Sequence, residues 1–403
     1  MSWLLADARI PGRRMPVDLL VSAEGLRLLE PGEHTSTDVQ RWALDGRVVL
    51  PGLVELHAHI DKTYSDSSNP LGTLVGAIDR MAAQEAARTL QEIEARAERA
   101  LRAAIAHGVT RMRSHLDFGR PRDLDVLEVM VGLRRRYAGS IDLQFVPMVH
   151  ELARPERRAL LEEGVRLGID RIGGAPSLSA DPAAGVNEVL AAAERLGLGI
   201  DLHVDEHDRD HSPSLAALLE HLERRGFPGQ VTASHCCSLA FMPPAERDLL
   251  LQRMAACGVA LVTLPACNLV LMGRDCWPVP RGTAPIAAAR RAGVLVGVGA
   301  DNVQDPFNPF GDYDPLQSAR LGALVGHLGT DGELESALEL VTVDAARIFG
   351  GAPARIDDGL PADLVVTDCR EVAEAIAHPP ARLATFKGGE LVVRTRIEQA
   401  WCA

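Results

Sequence analysis

The residues that could do chemistry in this chain fall at four places. Val54-Glu55-Leu56-His57-Ala58-His59-Ile60-Asp61-Lys62 carries two histidines two positions apart. Asp201-Leu202-His203-Val204-Asp205-Glu206-His207 offers a third, with a glutamate three residues beyond it. Thr232-Ala233-Ser234-His235 ends in a fourth, and Gly297-Val298-Gly299-Ala300-Asp301-Asn302 supplies an aspartate. On a strand, residues i and i+2 project to one face, so His57 and His59 suit a single divalent ion. An isolated His-x-His says little among 13 histidines. Four such stretches, each at the end of an apolar run, are far more specific. Imidazoles and a carboxylate gathered at one point are the donors of a transition-metal site that activates water.

Such a gathering needs a scaffold that brings distant strand ends together. Apolar runs read as strands at Leu53–His57, Val109–Asp117, Ile141–Met148, Arg171–Gly174, Gly199–Val204, Val231–His235, Val259–Leu264 and Val294–Gly299, with helical stretches between them. In the clearest helix Leu90, Ile93, Ala97, Leu101 and Ile105 recur at spacings of three and four, and Gly108 stops it. Eight strand–helix units over about 300 residues predict an α/β fold, a (β/α)₈ barrel. The competing doubly wound sheet would want a Gly-x-Gly-x-x-Gly loop after an early strand, and none occurs there. Barrels of this kind place catalytic groups at the C-terminal ends of strands, where all four stretches lie.

Both chain ends read differently. Trp3-Leu4-Leu5, Asp18–Val21, Gly25–Leu29 and Val48-Val49-Leu50 precede the barrel, and Ala362–Thr367, Ala384-Thr385-Phe386 and Leu391-Val392-Val393 follow it. Gly388-Gly389 marks a hairpin between the last two. The expectation is one small β-sandwich domain built from residues 1–52 and 353–403 around a barrel of residues 53–352.

Composition narrows the function. With 42 basic and 55 acidic side chains the net charge is −13, which repels nucleic acid and anionic membranes. No apolar run reaches the about 18 residues a bilayer span needs. Seven cysteines form no regular framework and read as reduced thiols, and the N-terminus lacks a signal-peptide pattern, so a cytoplasmic protein is expected. Cys236-Cys237, read as strand residues, point to opposite faces. Only two of the basic residues are lysines, Lys62 and Lys387.

At this level the chain resembles the amidohydrolase superfamily, and within it the cytosine deaminase-like branch. The resemblance covers nearly the whole length. Its carriers are Leu50–Asp61, Gly173-Gly174-Ala175-Pro176, His203–Glu206, Val231–His235, Asn268–Arg274 and Asp301–Pro306. It implies that His57, His59, His203 and Asp301 bind one divalent metal ion per chain, Zn²⁺ or Fe²⁺. It also implies that Glu206 shuttles protons, and that His235 polarises the attacked carbon's surroundings or stabilises the metal-bound oxygen. Three neutral imidazoles and one carboxylate agree with that chemistry. The ion would lower the pKa of its water towards about 7, and Asp301 would take the proton as hydroxide attacks. Binuclear members of the superfamily bridge two ions with a carboxylated lysine, and residues 63–386 hold no lysine. A lysine-bridged centre is excluded and a mononuclear one follows.

The match departs from cytosine deaminases at three positions. Met148 stands where they carry a glutamine for the pyrimidine amide, Asn302 where they carry a second aspartate, and Lys62 has no counterpart. Lys62 and Asn302 resemble instead the s-triazine branch, the N-isopropylammelide isopropylaminohydrolases. Lys62, Met148, Asn302 and Phe307 are therefore the candidate substrate-binding residues, with two readings open for three of them. Lys62 is a substrate donor or a solvated loop lysine, Met148 a pocket wall or core filler. Phe307, like Phe310, is a stacking ring or loop packing. His115, Asp117 and His150 read as supporting rather than ligating residues. The resemblance implies a small heterocyclic substrate, and a homo-oligomer is among the states open to the chain. The expected reaction is hydrolytic removal of ammonia or an alkylamine from a planar nitrogen heterocycle other than cytosine. The alternative is ring opening of a cyclic amide, imide or lactam. A third reading, a non-catalytic binding protein, is disfavoured by retention of the whole ligand set with Glu206 and His235.

Overall fold

The computed structural model describes residues 2–30, 33, 38–330 and 332–402. Its centre is one sheet of eight strands in chain order: Leu53–Ala58, Val109–Asp117, Asp142–Met148, Arg171–Gly174, Gly199–Val204, Val231–His235, Ala260–Thr263 and Val296–Val298. All neighbouring pairs are parallel. The first and last strands meet where Asp301 N–H donates to the His57 carbonyl at 2.7 Å and Ala58 bridges Asp301. The barrel therefore closes at the candidate site itself.

Glu55 reinforces this closure. One of its carboxylate oxygens accepts the backbone N–H groups of both His57 and Ala300, each at 3.0 Å. Burial pushes its carboxyl up to about 8. Gly299 makes the approach feasible, because a Cβ there would stand 2.8 Å from that oxygen and 3.0 Å from His57.

Helices fill the intervals and bury one face each. Leu90–Ala106 starts at Thr89, whose hydroxyl accepts the Glu92 N–H, and buries Ile93, Ala97, Ala100, Leu101, Ala104 and Ile105. Pro155, Pro182, Pro213, Pro244, Pro265 and Pro315 each open a helix, where a fixed φ costs nothing and no donor is lost. The seventh and eighth strands are shorter than their apolar runs. Val259 N–H still bonds Met254 O, and Val294 N–H bonds Ala289 O, so both residues finish the preceding helix instead.

The chain ends form two four-stranded sheets. One orders Gly25–Leu29, Val17–Ser22, Ser2–Ala8 and Val39–Ala43; the other orders Glu390–Arg394, Arg382–Lys387, Leu364–Thr367 and Val49–Pro51, so it joins both termini. Leu5, Leu19 and Val21 share a core with Leu364, Val366 and Phe386, and Trp3 meets Phe386 edge-on at 5.9 Å. The expected hairpin at Gly388-Gly389 is present, with both residues at positive φ. Strand Val39–Ala43 was not expected. It is a half-exposed edge whose Gln40 and Arg41 break the apolar pattern.

Candidate metal centre and its cavity

The four sequence stretches converge. His57 Nε2 lies 3.1 Å from His203 Nε2, which lies 3.3 Å from His59 Nε2. Asp301 Oδ1 lies 3.2 Å from His59 Nε2 and 3.6 Å from His57 Nε2. Around a tetrahedral ion with bonds of about 2.1 Å, neighbouring donor atoms stand about 3.4 Å apart. Burial holds His57 and His203 well below the ordinary imidazole pKa, and neighbouring imidazoles add to the effect. Neutral rings presenting Nε2 to one another set lone pairs face to face, unless a proton or a cation stands between them. Both Asp301 oxygens are buried without a hydrogen-bond partner. The residues present therefore fit one divalent ion.

His235 reaches the same cluster: its ring, with His57, His203 and Asp301, offers donor atoms all within 4.8 Å of one another. Its Nδ1 is engaged elsewhere, 3.3 Å from Glu206 Oε1 and 3.1 Å from Asn268 Nδ2, while Nε2 has no partner. Burial pulls the His235 pKa down, but Glu206 and Asp301 outweigh it and the net shift is upward. His235 and Asp301 both sit in the left-handed region, at φ +66° and +62°. Strain of that kind in non-glycine residues costs about 1–3 kcal/mol each and gathers at functional sites.

A chain of buried groups supports the cluster from behind. His57 Nδ1 lies 3.1 Å from Ser234 Oγ, whose hydroxyl donates to Asp201 Oδ1 at 2.8 Å. Asp201 Oδ2 accepts Arg113 at 2.7 Å, with both side chains fully buried. Arg113 also donates to Gln144 Oε1 and to the carbonyls of Ile348 and Phe349. His115 stacks on the His57 ring at 3.9 Å.

The cluster opens into a cavity of about 260 Å³. Glu206, His235, Lys62, Met148, Asn302 and Phe307 all line it. Leu74, Ile78 and Met81, one face of the helix Leu74–Gln84 after the first strand, form an apolar wall. Lys62 is no solvated loop residue. It is buried, its Nζ lies 2.6 Å from Asp117 Oδ1, and it stands 5.6 Å over the Phe307 ring. Burial would lower its pKa, yet Asp117 and Asp61 hold it above the ordinary range; the partly exposed Asp117 falls to about 2, because Lys62 outweighs the desolvation of its carboxyl. Arg88 and Arg96 pin the loop by donating to the carbonyls of Asp61 and Thr63. Met148, half-buried at the end of the third strand, is wall rather than core filler. Asn302 donates its amide to Asp305 at 2.6 Å. Phe310 is 64% exposed and lies outside the cavity lining, so its stacking reading fails.

One further reading is corrected. Cys236 and Cys237 follow the sixth strand rather than lying on it, with Cys236 at φ +49° and Cys237 opening a short 3₁₀ turn. Residues not foreseen are Glu55, Arg113, Asp201, Ser234 and Asn268. Asp201 had a signal, since it stands two residues before His203 on the same strand. Glu55 had the same signal before His57, whereas Arg113, Ser234 and Asn268 act between elements distant in the chain, which spacing does not register.

A parallel barrel that gathers three imidazoles and a carboxylate at a cavity, with a glutamate beside them, is a hydrolase scaffold whose cluster could hold a metal ion. Residues 65–395 match the amidohydrolase family, and the chain belongs to it. It is 31% identical to a pterin deaminase from Rhizobium rhizogenes over 393 residues, covering 94% of this chain and 89% of that protein. Its fold is similar to 5-methylcytosine deaminase from Klebsiella pneumoniae liganded with 5-fluorocytosine, with a TM-score of 0.92, 27% identity and coverage of 100% and 99%. It is also similar to N-isopropylammelide isopropylaminohydrolase from Burkholderia multivorans, with a TM-score of 0.85, 31% identity and 98% of both chains covered. The protein is a hydrolase acting on carbon–nitrogen bonds other than peptide bonds. Among the described residues no helix is long and apolar enough to cross a membrane.

Proposed function

We propose that the protein removes ammonia or an alkylamine from a planar nitrogen heterocycle larger or less polar than cytosine. A pterin, which is larger, or a hydroxylated aminotriazine carrying an alkyl group, which has an apolar edge, would fit this description. The observation that carries the reading is the convergence of His57, His59 and His203 Nε2 with Asp301 Oδ1 on a cavity floor beside Glu206. Those four residues would hold one ion, Zn²⁺ or Fe²⁺, in the barrel of residues 53–352, to which residues 1–52 and 353–403 add the β-sandwich. The ion supplies Lewis acidity and lowers the pKa of water when bound.

The chain's own groups do the rest. Asp301 has a carboxylate oxygen free to take a proton. Glu206, half-buried at the cavity edge, can carry a proton to a ring nitrogen and then to the departing amine. Its 3.3 Å contact with His235 Nδ1 orients it, and His235 Nε2 is left to meet the substrate. Lys62 donates to an oxygen or carboxylate of the ring. Met148 and the Leu74–Ile78–Met81 face exclude water from an apolar edge or alkyl substituent. Seven free cysteines support a reducing, cytoplasmic setting.

A substrate panel tests this. Purified protein is offered pterin, N-isopropylammelide, 5-methylcytosine and cytosine, and products are read by mass and by amine release. The expected result is amine release with the ring intact, from pterin or the triazine ahead of cytosine. A new carboxylate without amine release, from these or from cyclic imides, would replace deamination with ring opening.

A further inference from the structure

Cys267 lies on the short helix Pro265–Leu271 that follows the seventh strand, buried at 1% exposure. Its Sγ, one oxygen of Glu206 and one of Asp301 all lie within 4.8 Å of one another. Asp301 Oδ1 is the oxygen that faces His57 and His59. Neither Asp301 oxygen accepts an N–H or O–H donor from outside the cluster, and the Cys267 thiol stands against the carboxylate, which leaves it able to bridge two ions. Glu206 and Asp301 line the cavity, which gives an ion a route in.

We propose that Glu206, Cys267 and Asp301 form a second, inhibitory site for a thiophilic divalent ion such as Cd²⁺ or excess Zn²⁺. One thiolate with two carboxylates suits those ions and not Mg²⁺ or Ca²⁺. Binding forms one sulfur–metal and two oxygen–metal bonds and releases the thiol proton to solvent, with no change of oxidation state. The occupied site takes Glu206 out of proton transfer and narrows the cavity beside Asp301. The inference rests on the reading of Glu206 and Asp301 given above. It turns a mononuclear enzyme into one whose activity falls as thiophilic metal rises.

The test uses full-length protein with Cys257, Cys276 and Cys402 replaced by Ser, so that the more accessible thiols are silent. Metal-free protein is titrated with Co²⁺. Two binding steps are expected, and thiolate-to-cobalt charge-transfer absorption should arise only in the second. Adding Cd²⁺ to protein carrying one ion should cut turnover of the ring found active in the panel by at least about 10²-fold. Cys267→Ala should keep the first step and the basal turnover while losing the absorption and the Cd²⁺ sensitivity. Charge-transfer absorption in the first step, or equal Cd²⁺ inhibition of the Cys267→Ala variant, would overturn the proposal. The absorption of the Cys267-bearing protein decides thiolate engagement even if that variant does not fold. A missing first step would instead overturn the metal-centre reading, whereas a normal first step with no second overturns the inhibitory site alone.

Discussion

Replacing Asp201 strikes the centre through its support rather than through its ligands. Arg113 and Asp201 pair at 2.7 Å with neither side chain reaching solvent. Asp201→Asn keeps the volume and leaves the guanidinium charge to Gln144 Oε1 and the carbonyls of Ile348 and Phe349. Breaking one side of a buried pair costs about 3–5 kcal/mol, a large part of the about 5–15 kcal/mol that holds a typical protein folded. Ser234→Ala separates the two roles of this chain. It leaves the ion pair intact but removes the hydroxyl between His57 Nδ1 and Asp201. Without that partner the tautomer that presents Nε2 is no longer fixed, and metal affinity should fall about 10–100-fold. The assays are thermal unfolding of metal-free protein and metal affinity by competition with a chromophoric chelator. Asp201→Asn should unfold at a clearly lower temperature, and adding Arg113→Met should restore much of the loss by removing the stranded charge. Ser234→Ala should unfold near the parent temperature while binding metal more weakly. An Asp201→Asn variant as stable as the parent, or a Ser234→Ala variant that binds metal as tightly, would refute this reasoning.

Glu206→Gln keeps size and leaves the cluster intact, so metal content should be unchanged while turnover falls at least about 10²-fold; near-normal turnover would mean that Glu206 is not the proton carrier. Cytosine should be a poor substrate, and Met148→Gln should raise its kcat/KM by about one to two decades, the value of a restored hydrogen bond at a buried amide. A parent protein that already turns cytosine over efficiently would contradict that. Lys62→Met should raise KM for oxo-bearing rings by about tenfold. Its effect on stability should be small, because the Asp117 side chain is 37% exposed and can be solvated once unpaired.

The barrel was legible because its strands are buried on both faces. Val109–Asp117, Arg171–Gly174, Gly199–Val204 and Val231–His235 end where their apolar runs end. The seventh and eighth runs were overread, since apolarity alone does not separate a strand from the last turn of the helix before it. His57, His59, His203, His235, Glu206 and Asp301 were legible through their place at strand ends. The groups behind them were not, because Ser234 reaches His57 from another strand and Arg113 reaches Asp201 across the barrel. Lys62 could be singled out by rarity, but only the fold shows that the Asp117 carboxylate and the pinned loop make it a buried cavity residue. Phe307 and Phe310 look alike in the chain and are separated only by the turn that Asp305 and Asn308 build through hydrogen bonds to the loop backbone.

Metal content measured against activity tests the central claim most directly. The protein is stripped with chelator, reconstituted with increasing Zn²⁺ or Fe²⁺, and each sample is assayed for bound metal and for amine release. Activity should rise in proportion to metal and reach its maximum at one ion per chain, with His57→Ala and His203→Ala losing metal and activity together. Activity that peaks only at two ions per chain, or that survives complete removal of metal, would contradict the account.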